Sequence, residues 1–157
     1  MTNVVEFRQK DLTPSERARA ERLVWTEDLG RGWKARPITS SDSQFLTEVL
    51  ERLDARLQPA DRVAVIGAIA RLANHFRADR PADAWQMLFE DYAADLDGIS
   101  EAHLSEAIRK YRASKPFFPK VAELVEIWNG LRLVEAEQHR RARVLLGIES
   151  PKPWEAA

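Results

Sequence analysis

One stretch, from Pro81 to Trp128, constrains the fold more than any other part of the chain: PADAWQMLFEDYAADLDGISEAHLSEAIRKYRASKPFFPKVAELVEIW. Leu88, Phe89, Tyr92 and Leu96 follow Trp85 by 3, 4, 7 and 11 residues, which puts all five on one wide stripe of a helix. So large an apolar stripe must be buried, and the next segments supply partners for it. Asp97-Gly98 ends the first helix, Ser100 caps a second, and Leu104, Ala107, Ile108 and Tyr111 form that helix's apolar face. A third helix is announced by Pro116-Phe117-Phe118-Pro119-Lys120-Val121-Ala122-Glu123-Leu124. Pro119 suits a first helical position, where an N–H would have no partner to lose. Phe117 or Phe118 can pack back onto Leu124 and fix the direction in which the chain enters the helix. Leu124, Ile127, Trp128, Leu131 and Val134 then continue the stripe.

The remaining chain is helical in character as well. Thr13-Pro14-Ser15-Glu16 has the spacing of a capping box, and so does Ser41 followed by Gln44. Phe45, Leu46, Val49, Leu50, Leu53 and Leu57 give the second of these helices its buried face, and Gln58-Pro59 opens another that runs to about Phe76. Between them the first part of the chain is broken by Gly30, Gly32 and Pro37, with Trp25 and Trp33 alongside. No strand alternation and no internal repeat occurs. The expected fold is all-α: a bundle of about five to six helices, with a mobile N-terminal arm and a projecting C-terminal helix or tail. The arm with its short helix covers 1–37, the helical core 38–134, and the extension and tail 135–157. Past Val134 the run EAEQHRRAR lacks an apolar stripe, while Val144, Leu145, Leu146 and Ile148 make a small apolar patch.

Composition narrows the chemistry. A length of 157 residues suits one domain. An apolar fraction of 45% is too high for a disordered chain. No Cys is present, which excludes disulfides and thiolate metal sites. Met1 to Leu12 has no long apolar core of a signal peptide, and the run Val63 to Ala70 is too short to span a membrane, so a cytoplasmic protein is expected. There is no phosphate-cradling glycine loop, and no Ser or Cys nucleophile stands in a recognisable context with a His. His103 and Glu106 lie three apart on a helix but supply two ligands where a closed site needs four. Asp91 and Asp95 read as an acidic solvent face, and His75 as a partner for a helix C-terminus. The residues call for no enzyme, no metal and no cofactor.

Charge is unevenly placed. From Ile38 to Ser100 there are 6 basic and 11 acidic residues, and from Glu101 to Ala157 there are 10 and 8. Arg109, Lys110, Arg112, Lys115 and Lys120 cluster around the joint before Pro119. Such a cluster suffices for contact with nucleic-acid phosphates. Glu123 and Glu126 at the start of the following helix argue against base readout there.

The pattern of Trp85, Asp91-Tyr92, Leu96, Ala107, Tyr111-Arg112 and Phe117 to Leu124 resembles small helical proteins of phages and prophages. In these an aromatic-Pro-x-x-x-[Asp/Glu]-[Leu/Ile] helix start follows two shorter helices. The family of phage replicative-helicase loaders and inhibitors is similar in being small, helical and non-enzymatic. The resemblance, which covers Pro81 to Trp128, implies a DNA-replication accessory protein whose partner is a hexameric replicative helicase. The contact expected with it is the C-terminal stretch, through Leu131, Arg140, Arg141, Arg143, Val144, Leu145, Leu146 and Ile148. Two other readings stand beside it: a DNA-associated regulator that uses the basic joint, and a virion or toxin-neutralising interaction protein.

Overall fold

Four helix starts among the described residues are written in short side chains, Thr13, Thr39, Asp61 and Ser100, that accept from amides with no partner of their own. The protein, seen here as a computed structural model, is described over residues 13–24, 32–76 and 79–156. Among these residues it is all-α, with α1 (Pro14–Leu23), α2 (Ser40–Arg56), α3 (Arg62–Phe76), α4 (Ala82–Asp95), α5 (Glu101–Ser114) and α6 (Val121–Leu145). Of the expected arm over 1–37, residues 1–12 and 25–31, Trp25 and Gly30 among them, lie outside the described residues. Among the described residues no helix is long and apolar enough to cross a membrane. The chain divides into two compact units, one made of Met1–Ala55 with Leu133–Ala157, the other of Arg56–Arg132. Helix α6 contributes its first half to the second unit and its remainder to the first.

In the first unit, α1 opens with the anticipated capping box. Thr13 Oγ1 accepts from the Glu16 amide at 3.2 Å, and Glu16 Oε2 accepts from the Thr13 amide at 2.9 Å. Helix α2 starts differently from the expected Ser41–Gln44 box. Thr39 Oγ1 accepts from the Asp42 amide at 3.1 Å and Asp42 Oδ2 accepts from the Thr39 amide at 3.2 Å, so the box lies two residues earlier. A carboxylate is the stronger acceptor, and Asp42 is held further by Arg22 at 2.9 Å and Arg19 at 3.6 Å. Ala20, Leu23, Val24, Phe45, Leu46, Val49, Leu53 and Ala142 form the core of this unit. Trp33 is buried beside it and donates from Nε1 to the Leu23 carbonyl at 2.8 Å, one of the last carbonyls of α1.

Past Val134 the helix does run on, but it is packed rather than projecting. Arg141, Ala142 and Val144 are buried. The apolar stripe disappears from the sequence here because its place is taken by an arginine: the Arg141 guanidinium lies 5.2 Å from the centre of the Trp33 ring. The chain then returns through Gly147, whose φ of 75° is left-handed. Beyond it Glu155 becomes buried, and its carbonyl accepts from the Ala35 amide at 2.8 Å.

In the second unit, α3 begins at Arg62 instead of at Gln58-Pro59. Asp61 Oδ1 accepts from the Ala64 amide at 2.7 Å and so supplies the cap. Pro59 instead forms an isolated antiparallel bridge with Ser100, beside the Ala60 to Ile99 hydrogen bond of 2.9 Å. That bridge sets the start of α3 against the start of α5, where Ser100 Oγ accepts from the His103 amide at 3.1 Å as anticipated. Val65, Ile69, Leu72, Leu96, Ile99, Leu104, Tyr111, Leu124 and Trp128 are among the buried side chains of the core. Helix α6 begins at Val121, two residues after the position expected from Pro119. Pro119 is fully buried, its carbonyl accepts from the Tyr92 hydroxyl at 2.7 Å, and Glu123 accepts from the Lys120 amide at 2.9 Å. Of the two phenylalanines, Phe118 is the anchor: its ring lies 5.6 Å from Trp85 edge-on and 5.7 Å from Tyr92 stacked. Phe117 is 70% exposed.

Candidate functional site

Helices α3 and α5 pack side by side in the second unit and leave a groove between them. Ala68, Leu72 and Ile108 lie along it with Arg71, Ser105, Arg109 and Arg112, and its volume is about 270 Å³. Apolar residues one turn apart on each helix bury themselves at the seam, and residues flanking that stripe emerge at the rim. On α5 this places Arg109 and Arg112 on the rim, three residues apart and therefore about 4.5 Å along the axis. On α3 it places Arg71. A second hollow of about 590 Å³ adjoins it, lined by His75, Phe76, Arg112, Ala113, Ser114, Lys115 and Pro116. Arg112 belongs to both, so the two form one track. It carries four permanent cations and, among its described lining residues, no carboxylate.

Nearby acids leave most of that charge free. Arg109 reaches Glu106 at 3.7 Å, and Glu106 also meets the buried Arg56 guanidinium at 3.5 Å. None of Arg71, Arg112 and Lys115 is paired with a carboxylate among the described residues. The five basic residues anticipated from the sequence are all exposed. Arg109, Arg112 and Lys115 come together on the track, whereas Lys110 and Lys120 line neither hollow. Sequence reasoning missed Arg71. The signal was present: it is the only charged residue between Val63 and Phe76, so its helix has one position that has to face water.

The C-terminal set expected to meet a protein partner is arranged otherwise. Arg141 and Val144 are buried and so are not available at the surface. Leu145 and Leu146 pack against the core of the first unit, and Leu131 is half-buried. Arg143 reaches Glu149 at 3.8 Å. Arg140 donates to Glu137 at 2.7 Å and to the buried Glu155, and Arg141 donates to Glu137 at 2.9 Å. Only Ile148, 61% exposed, presents an apolar side chain openly. Burial pushes the Glu137 carboxyl up, but the hydrogen bonds and charge of Arg140 and Arg141 outweigh it and hold the group below its ordinary value of 4.5. Glu155 behaves alike: burial is outweighed by Arg140 and by the Lys152 amide. These contacts build structure.

His103 is buried at the first turn of α5, and its partner in the anticipated pair, Glu106, faces the two arginines. Among the described residues no group of three His, Asp or Glu side chains is placed to hold a metal ion. Asp91 and Asp95 are exposed on α4. Comparison of the chain with family models, curated proteins and solved structures finds no match.

Proposed function

We propose that this chain is a non-enzymatic accessory protein of phage or prophage DNA replication that binds a hexameric replicative helicase, in the manner of a loader or inhibitor. The observation that supports this reading is the packing of the α5–α6 joint on α4. Trp85, Tyr92, Phe118 and Pro119, which carry the resemblance to that family, pack on one another there and share the Tyr92 to Pro119 hydrogen bond. The motif is therefore a built joint, and its neighbour Phe117 is left exposed. An aromatic side chain held beside a rigid joint gives a partner a large apolar anchor at small ordering cost.

The helicase contact then centres on Phe117. Binding alone would do the work: the protein holds the helicase ring in a loadable state and then leaves. The test is chromatography with light scattering on the full chain mixed with the purified helicase hexamer. A complex of defined mass is expected, weakened about tenfold in Phe117→Ala, as for an interface anchor. Separate elution of the two proteins removes the reading.

A further inference from the structure

We infer that the track between α3 and α5 binds a short run of single-stranded nucleic acid, its phosphates on Arg71, Arg109, Arg112 and Lys115. The inference stands apart from the helicase reading and uses different residues. Between Arg56 and Arg132 the chain has eleven basic and eleven acidic side chains, so no net attraction for a polyanion follows from charge number alone. Their placement decides it. Asp83, Glu90, Asp91, Asp95 and Asp97 are exposed on or just after α4, while the groove on the α5 side of α3 is lined by cations and by no carboxylate. A polyanion is thereby oriented toward one groove and repelled from α4.

The shape selects among polyanions. Two packed helices lie roughly 8–10 Å apart axis to axis, so the rims of the groove are within reach of one backbone strand. A duplex is read by a helix that protrudes into its major groove, whereas α5 lies along α3 and offers the floor of a cleft. That floor is apolar, formed by Ala68, Leu72 and Ile108, and at its far end stands the exposed ring of His75. A cationic rim over an apolar floor, ending in a ring on which a base can stack, matches the sugar, base and phosphate of successive nucleotides. Ser105 adds a hydroxyl for a phosphate oxygen. An acidic peptide is the rival ligand, but its side chains are short of flat surface for that floor.

The test is fluorescence anisotropy of labelled oligothymidylate titrated with the full chain at a series of salt concentrations. Four phosphate contacts to a single strand give log K against log[salt] a slope of about −3, and removal of two cations should bring it to about −1.4. Arg109→Gln with Arg112→Gln, and separately Arg71→Gln with Lys115→Gln, should each weaken binding at least tenfold at low salt. Arg36→Gln, exposed in the first unit, should bind as the parent does. All five positions are solvent-exposed, and a melting curve checks each variant; should one pair fail to fold, the other decides. The inference is overturned by any of four results. These are no binding at low salt, equal loss in Arg36→Gln, tighter binding of a duplex of the same length, or displacement of oligothymidylate by polyglutamate at equal charge.

Discussion

Phe117 and Phe118 are adjacent and chemically identical, yet one is an anchor and the other a surface ring. The sequence left them equivalent, because either can precede a helix-opening proline. What separates them is the position of Trp85 and Tyr92, 33 and 26 residues before Phe118, and no local pattern carries that information. Phe118→Ala should cost about 2 kcal/mol, less than for a fully buried ring because Phe118 is half-buried. Phe117→Ala should change stability by less than about 0.5 kcal/mol. Thermal melts of the two variants check the contrast, and equal losses would contradict it. A second residue-scale consequence concerns Arg140, which holds Glu137 and the buried Glu155. Both carboxyls lie below their ordinary value of 4.5, so the native state resists protonating them. Their contribution is whole above that value and is lost as pH falls through it toward the depressed native values. Melting temperature should therefore be flat from about pH 7 to 5 and drop below about pH 4.5. Arg140→Gln should cost about 3 kcal/mol at neutral pH by leaving the buried Glu155 without its counter-ion. In that variant the acid-induced drop should be smaller, which a pH series of melts reads directly.

Elements were legible where a periodic stripe met its own cap. The Thr13–Glu16 box, the Ser100 cap and the apolar faces of α4 and α5 all stand as the spacing implies. Three starts were displaced: α6 opens two residues late, at Val121, and for the other two the contacts give the physical reason. Helix α2 is opened by Thr39 and Asp42 because Asp42 also meets Arg22 and Arg19 from another helix, a contact that spacing cannot reveal. Helix α3 starts late because Pro59 and Ala60 are engaged with Ile99 and Ser100. Asp42→Ala should consequently cost about 2 kcal/mol, more than the usual cap, since two arginines lose their acceptor with it. Ser41→Ala should be nearly silent. Urea titrations of both variants check the assignment, and a large loss in Ser41→Ala would return the cap to Ser41. The stretch past Val134 misled for a related reason. Its inward positions include the buried Arg141, whose guanidinium lies over Trp33, so hydrophobic counting fails on a stretch that is nevertheless packed. The basic track was half legible for the same reason in reverse: three of its cations cluster in sequence, and Arg71 joins them only through the packing of α3 on α5.

At the scale of the whole molecule, the all-α architecture was legible and the division into units was not. Apolar spacing reports which face of a helix is buried, never which other helix buries it. The second unit is a continuous run, Arg56–Arg132, while the first joins Leu133–Ala157 to the residues before Arg56. A chain ending at Arg132 should therefore lose the first unit and keep the second. In the shortened chain α1 and α2 lose Ala142 and the Glu155 contact to Ala35. Hydrogen exchange should show protected amides in α3, α4 and α5 but none in α2, and protection surviving in α2 would refute the dependence.

That discontinuity also sets a timetable. During synthesis the second unit has all its contacts as soon as Arg132 has left the ribosome, and its short sequence separations favour fast closure. The first unit is complete only when Glu155 has been made, because the amide of Ala35 waits for that carbonyl. For that interval the α1–α2 core lacks the cover of Ala142, Leu145 and Leu146, and nascent chains caught then would be the ones that chaperones meet.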